Sequence, residues 1–174
     1  MKSRIFLFTL LAMFGFCLNA YSQSYVVGST QVTMADDTRK SIENIAVGDV
    51  VLSYDVKEGV YQKKKVTGTD KIMFGRTLRI VLDNGLQILT TSDYPFWGER
   101  GWLSVDTELT SENPKYESVK ETQIGDYMYF YDILTTSSER VAIIEGIMEP
   151  MMTYNITIEG GGTIIANGFI IGVD

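Results

Sequence analysis

The chain has 174 residues, with 15 Lys and Arg against 22 Asp and Glu, a net charge of −7, one cysteine and no histidine. Its acidity offers no electrostatic route to nucleic acid or to an anionic membrane, and the missing imidazole removes the usual proton carrier at neutral pH. A single Cys17 excludes an internal disulfide and a thiolate metal cage.

The chain opens as a secretory leader. Met1-Lys2-Ser3-Arg4 is basic, Ile5 to Leu18 is apolar, and Asn19-Ala20-Tyr21-Ser22 supplies the small residues of a cut site. The apolar run is short for a membrane span, and no second one follows. Cleavage is expected after Ser22, with Ala20 the near alternative. Residues 1–22 are then a signal peptide, and 23–174 form one domain of roughly 150 residues. The mature protein is expected to be periplasmic or secreted, with no integral membrane span. Cys17 follows Phe16, where lipid-bearing cysteines follow a small residue, and it leaves with the leader.

Beyond the leader the pattern predicts strands almost throughout. Tyr25–Val27 and Gln31–Met34 are short and β-branched, and Ala35-Asp36-Asp37-Thr38 is a turn cluster. Lys40–Ile45 has the chemistry of one helical or 3₁₀ turn. Val50–Tyr54 and Val60–Asp70 flank a hairpin turn, and Lys63-Lys64-Lys65 mark the second strand as solvated, twisted or at an edge. Arg76–Leu82 alternates, Asp83-Asn84-Gly85 turns, and Leu86–Thr91 returns. Glu99-Arg100-Gly101 turns between Phe96-Trp97 and Trp102–Val105. Residues 106–122 are polar, carry Pro114 and show no hydrophobic period, which predicts an exposed loop with a fragment of helix at most. Strands resume at Tyr127–Tyr131, Val141–Ile147, Met152–Ile158, Thr163–Ala166 and Phe169–Val173.

Two motifs recur in the same order. Val47-Gly48-Asp49 leads to Tyr54-Asp55, and Ile124-Gly125-Asp126 leads at the same spacing to Tyr131-Asp132. Downstream, Leu78-x-Ile80-x-Leu82-Asp83-Asn84-Gly85 is echoed by Tyr154-x-Ile156-x-Ile158-Glu159-Gly160-Gly161. One such turn is ordinary chemistry, but the paired spacing implies an all-β domain of two related halves.

These blocks together resemble the Hint domain, the fold shared by Hedgehog autoprocessing domains and inteins. The opening block is Ser24-Tyr25-Val26-Val27-Gly28-Ser29-Thr30, followed by Ile42–Asp49 leading into Val50–Asp55. The central block is Thr91-Ser92-Asp93-Tyr94-Pro95-Phe96-Trp97, where the family pattern has Thr-x-x-His-Pro-Phe, with Gly101-Trp102 after it. The tail is Tyr154-Asn155-Ile156-Thr157-Ile158, then Ala166-Asn167-Gly168 and Phe169-Ile170-Ile171.

The resemblance implies where autoprocessing chemistry would sit. Ser24 takes the nucleophile's place, Thr91 that of the residue orienting the scissile amide, and Tyr94 that of the histidine. A phenol has an unperturbed pKa of about 10 and is a poor base at neutral pH; Asp93 is the substitute polariser in a self-cleaving reading and a local turn cap in the other. The terminal His-Asn slot falls near Gly172-Val173, which offers no side chain for Asn cyclisation. Only Gln23 and the leader precede Ser24, and the chain stops at Asp174. The expectation is therefore a fold that has lost protein splicing and autoprocessing and acts as a binding or structural module. The alternative is self-cleavage by an N-to-O acyl shift at Ser24. Phe96, Trp97 and Trp102 are expected in hairpin or core packing, with an aromatic patch for a protein or glycan ligand the other reading. No cofactor or metal is called for.

Overall fold

Side chains that alternate in and out build sheets, and nearly every regular segment of this chain alternates. A computed structural model describes residues 24–133 and 135–174. The leader, its cut site and Cys17 lie outside these residues. In chain order the strands are β1 (Val26–Val27), β2 (Gln31–Thr33), β3 (Arg39–Ser41), β4 (Val50–Asp55), β5 (Val60–Phe74), β6 (Thr77–Leu82), β7 (Gln87–Thr90), β8 (Phe96–Gly98) and β9 (Gly101–Ser104). After helix α1 (Thr107–Ser111) come β10 (Lys120–Glu121), β11 (Tyr127–Asp132), β12 (Thr135–Ile147), β13 (Met151–Ile158), β14 (Gly162–Ala166) and β15 (Phe169–Val173). Short 3₁₀ turns cover Ile42–Asn44 and Pro114–Tyr116. The strands join in the order β3-β2-β14-β15-β8-β11-β12-β6-β7-β1-β13-β5-β4, with β9 beside β8 and β10 beside β9. Among the described strands the pairing is antiparallel except between β9 and β10.

The two halves expected from the repeat are β4–β7 and β11–β14, and they exchange arms. The first part of β5 pairs with β4 of its own half, Val60 opposite Asp55, and its Val66–Phe74 part pairs with β13 of the other half. Likewise β12 pairs with β11 up to Arg140, then crosses to β6 from Val141 onward. Equivalent register shifts mark both crossings, at Thr157/Ile158 and at Val141/Ile143.

The repeated Gly-Asp turns explain why the crossing occurs there. Gly48 and Gly125 have φ of 100° and 98°, a region other residues avoid. Their amides donate to the carbonyls of Val66 (2.9 Å) and Val141 (2.8 Å), the first residues of the exchanged arms. Asp49 Oδ2 accepts from the Ala46 amide at 2.9 Å, and Asp126 Oδ2 from the Gln123 amide at 2.8 Å. Each carboxylate also holds a cation, Lys40 Nζ at 2.6 Å and Arg100 Nε at 2.9 Å.

The core fills the space between the halves. Ile80 and Leu82 of β6 and their counterparts Ile156 and Ile158 of β13 point inward with Val26, Ile88, Phe96, Leu103, Met128, Ile164, Phe169 and Ile171. A smaller cluster of Leu52, Ile165 and Ile170 lies under Tyr54, Tyr61, Trp97, Tyr129 and Tyr131.

Several elements differ from the sequence expectation. The helical turn expected over Lys40–Ile45 shrinks to Ile42–Asn44, because Arg39–Ser41 pairs with β2. Ser41 makes no side-chain cap there; its hydroxyl accepts from Gln31 Nε2 at 2.7 Å. β12 starts at Thr135 rather than Val141, since the polar run Thr135–Arg140 is held by pairing with β11. Residues 106–122 are not a plain exposed loop. Asp106 caps α1 by accepting from the Leu109 amide at 3.1 Å, and Thr110, Asn113, Tyr116 and Thr122 are buried.

Candidate functional site

Strand β1 is only two residues long and is wedged between β7 and β13, with Val26 opposite both Thr90 and Tyr154. This wedge fixes where the chain enters the fold. The Tyr25 amide donates to Thr91 Oγ1 at 3.0 Å, and the Thr91 amide donates back to the Tyr25 carbonyl at 2.9 Å. Thr90 Oγ1 adds a second bond to the same carbonyl at 3.0 Å. Thr91 thus clamps the peptide just after Ser24.

The clamp sets Ser24 against Asp93. Ser24 Oγ lies 3.0 Å from the Asp93 carbonyl oxygen and 3.3 Å from its carboxylate Oδ2. One hydroxyl proton is shared between two acceptors. Ser24 is half-buried and Asp93 is buried. Thr110 Oγ1 of α1 lies 2.8 Å from the same Asp93 carbonyl and 2.7 Å from Ser104 Oγ. Of the four residues singled out from sequence, Ser24 and Asp93 therefore touch, and Thr91 holds the adjoining Tyr25 peptide.

Tyr94 does not join them as a proton carrier. Its side chain is 1 % exposed, and its hydroxyl has no hydrogen-bond partner among the described residues. Burial above all, then the nearby Tyr116, Asp93 and Asp174 groups, pushes its phenol well above the ordinary value. It stays neutral at physiological pH, and its ring packs on Phe96 at 6.2 Å between centroids.

Beside Ser24 lies a cavity of about 20 Å³, bounded by Pro95, Thr110, Asn113, Tyr116, Asn155 and residues 172–174. That volume holds about one water. Asn155 is 93 % buried, and its Oδ1 accepts no bond among the described residues. Tyr116 closes the other side. A β-carbon placed on Gly172 would stand 2.8 Å from Tyr116 Cζ and 3.0 Å from Pro95 Cγ, so the Tyr116 ring fills the space a side chain at 172 would take. Asp174 is tied in by Asn113 Nδ2 and Lys115 Nζ, each 3.0 Å from its Oδ1. Both ends of the described fold thus converge here.

Sequence reasoning missed Thr110, Asn113, Tyr116 and Asn155 as parts of this centre. The first three lie in a polar stretch without period, and their burial comes only from docking across it. The aromatic expectation has a mixed outcome. Phe96 is core, whereas Trp97 and Trp102 are partly exposed and form a chain of ring contacts: Trp97–Tyr129 at 6.4 Å, Trp97–Trp102 at 5.2 Å and Trp102–Tyr116 at 5.0 Å. Among the described residues, no group of three or more carboxylates, thiols or imidazoles could hold a metal, and no helix is long and apolar enough to cross a membrane.

No family model matches this sequence, and no curated protein does. Solved structures do. The DnaB intein from Synechocystis sp. PCC 6803 superposes with a TM-score of 0.71 at 15 % identity, over 87 % of this chain and 99 % of that one. A bacterial intein-like domain from Clostridium thermocellum gives a TM-score of 0.65 at 20 % identity, over 87 % and 99 %. The gp41-1 intein gives 0.61 at 22 % identity, over 88 % and 100 %. The fold is the all-β Hint fold of inteins; at these identities the likeness extends to the fold and no further.

Proposed function

We propose that this chain is a Hint-fold domain that has lost autoprocessing and serves as an exported binding or structural module. The observation that carries the reading is Tyr94. It stands at the place the resemblance assigns to the histidine, sealed and neutral, where it can take no proton from Ser24. The one-water cavity and the Tyr116 ring over Gly172 support the same reading, since a scissile peptide and its tetrahedral intermediate need room. Export rests on the leader-like residues 1–22.

A test joins a reporter protein ahead of Gln23-Ser24 and follows intact mass over days, with and without hydroxylamine. The expected result is a single uncleaved species. Cleavage that depends on Ser24 would overturn the proposal.

The second reading is favoured by one contact, Ser24 Oγ with the Asp93 carboxylate at 3.3 Å. In that reading the hydroxyl oxygen attacks the carbonyl carbon of residue 23 and its proton passes to Asp93. The C–N bond then breaks, the proton goes to the departing Ser24 amine, and an ester remains. Such an ester is what hydroxylamine intercepts, and Ser24→Ala and Asp93→Asn would both abolish the cut.

A further inference from the structure

A second concavity shares no lining residue with the Ser24 cavity and has the opposite character. It is a groove of about 420 Å³ between the β4–β5 hairpin, the Gly160–Gly162 turn and the segment carrying Lys115. Two aromatic side chains, Tyr54 and Trp102, line it, and so do three lysines, 57, 64 and 115. In a chain with a net charge of −7, three ammonium groups against the lining carboxylate of Asp55 and the Asp174 carboxylate bound to Lys115 leave the groove locally positive.

Lys64 is placed by the glycine turn and Lys115 by Asp174. Lys64 Nζ donates to the Gly161 carbonyl at 2.6 Å, and Lys115 Nζ lies 3.0 Å from Asp174 Oδ1. Each ammonium has three N–H donors, so each keeps donors for a ligand. Glycine in the turn leaves the ammonium groups room where they stand. A β-carbon on Gly161 would meet Lys115 Nζ at 2.6 Å, and one on Gly162 would meet Lys64 Nζ at 3.2 Å. Gly160 and Gly161 also have φ of 70° and 61°.

The remaining polar groups suit hydroxyls rather than a bare anion. Ser53 is 2 % exposed and lines the groove, and its hydroxyl makes no hydrogen bond among the described residues. Gln62 donates its amide to Asp55 Oδ2 at 3.0 Å, which leaves its carbonyl oxygen as an acceptor.

We infer that this groove binds an acidic saccharide: a pyranose whose C–H face lies on Tyr54 and Trp102, whose carboxylate meets Lys64 and Lys115, and whose hydroxyls meet Ser53 and Gln62. The site is separate from Ser24, and the inference holds whether or not Ser24 cleaves.

The test is fluorescence titration of the Trp97→Phe protein, in which Trp102 is the one remaining indole. The ligands are tetragalacturonate, its fully methyl-esterified form and inorganic sulfate. Tetragalacturonate is expected to shift Trp102 emission saturably, with affinity falling as salt is raised. The neutral ester is expected to bind about tenfold more weakly or not at all, since it lacks the charge-assisted contacts. Lys64→Gln with Lys115→Gln is expected to lower tetragalacturonate affinity by about tenfold while the melting temperature holds. Comparisons of ester and of salt need no substitution at the lysines, so an unstable variant does not blunt the test. No shift with tetragalacturonate, equal binding of the ester, or the same shift with sulfate alone would each overturn the inference.

Discussion

The Tyr116 ring occupies the space over Gly172, with Cζ 2.8 Å from where a β-carbon on that glycine would lie. Tyr116 comes from a 3₁₀ turn in the polar segment and Gly172 from the final strand, so the contact ties that segment onto the end of the sheet. Overpacking a filled site costs typically about 1–3 kcal/mol. Gly172→Ala is expected to lower stability by that amount in urea unfolding. In a Tyr116→Ala background the same substitution should cost less, leaving only the crowding against Pro95, a coupling a double-mutant cycle reads directly.

Thr91 has a structural task that does not depend on chemistry at Ser24. Its hydroxyl is the acceptor for the buried Tyr25 amide. Thr91→Val keeps the shape and strands that donor, so a loss of about 1–3 kcal/mol is expected. Thr91→Ser should retain most of the stability. Equal losses in chemical denaturation would contradict the clamp.

Tyr94 carries a buried hydroxyl with no hydrogen-bond partner among the described residues. Removing an unsatisfied buried group is expected to be neutral or stabilising by about 1 kcal/mol. Tyr94→Phe should therefore melt at or above the parent temperature. A marked loss would show that the phenol oxygen makes a bond that matters.

The alkaline limb of the stability curve should also belong largely to tyrosines. Burial raises the phenols of Tyr94 and Tyr116, and burial followed by the hydrogen bond to Asp70 raises Tyr25. Their folded values lie above the unfolded value of about 10, so the folded state holds protons the unfolded state gives up. This contribution is whole below pH about 10 and is lost as pH climbs through the folded values. Urea midpoints should be flat from pH 7 to 9 and then fall. Tyr94→Phe should flatten that fall by up to about 1.4 kcal/mol per pH unit, the weight of one proton.

What the sequence revealed and what it hid divide along range. The Asp83-Asn84-Gly85 hairpin, the duplicated Gly-Asp turns and the alternation of Ile80/Leu82 and Ile156/Ile158 are local signals, and all appear in the fold. Ser24, Thr91 and Asp93 were legible only through the resemblance, and the short β1 brings them together. The first half of β12 was hidden because Thr135–Arg140 has no apolar alternation, and the partner strand β11 supplies the order. Tyr116 was hidden for a related reason: its burial is decided by a glycine in the last strand. Composition also misled, since the net acidity says nothing of the three lysines gathered around one groove.

The exchange of arms bears on how the molecule is made. Among the described strands Val66–Phe74 pairs with Met151–Ile158, so it emerges from the ribosome long before that partner exists. Pairing at such separation is slow, and an open strand edge is a template for neighbouring chains. A fragment ending after Thr90 would not be half of a folded domain. It would be a sticky ribbon, and two full copies meeting before completion could close each other's arms instead of their own.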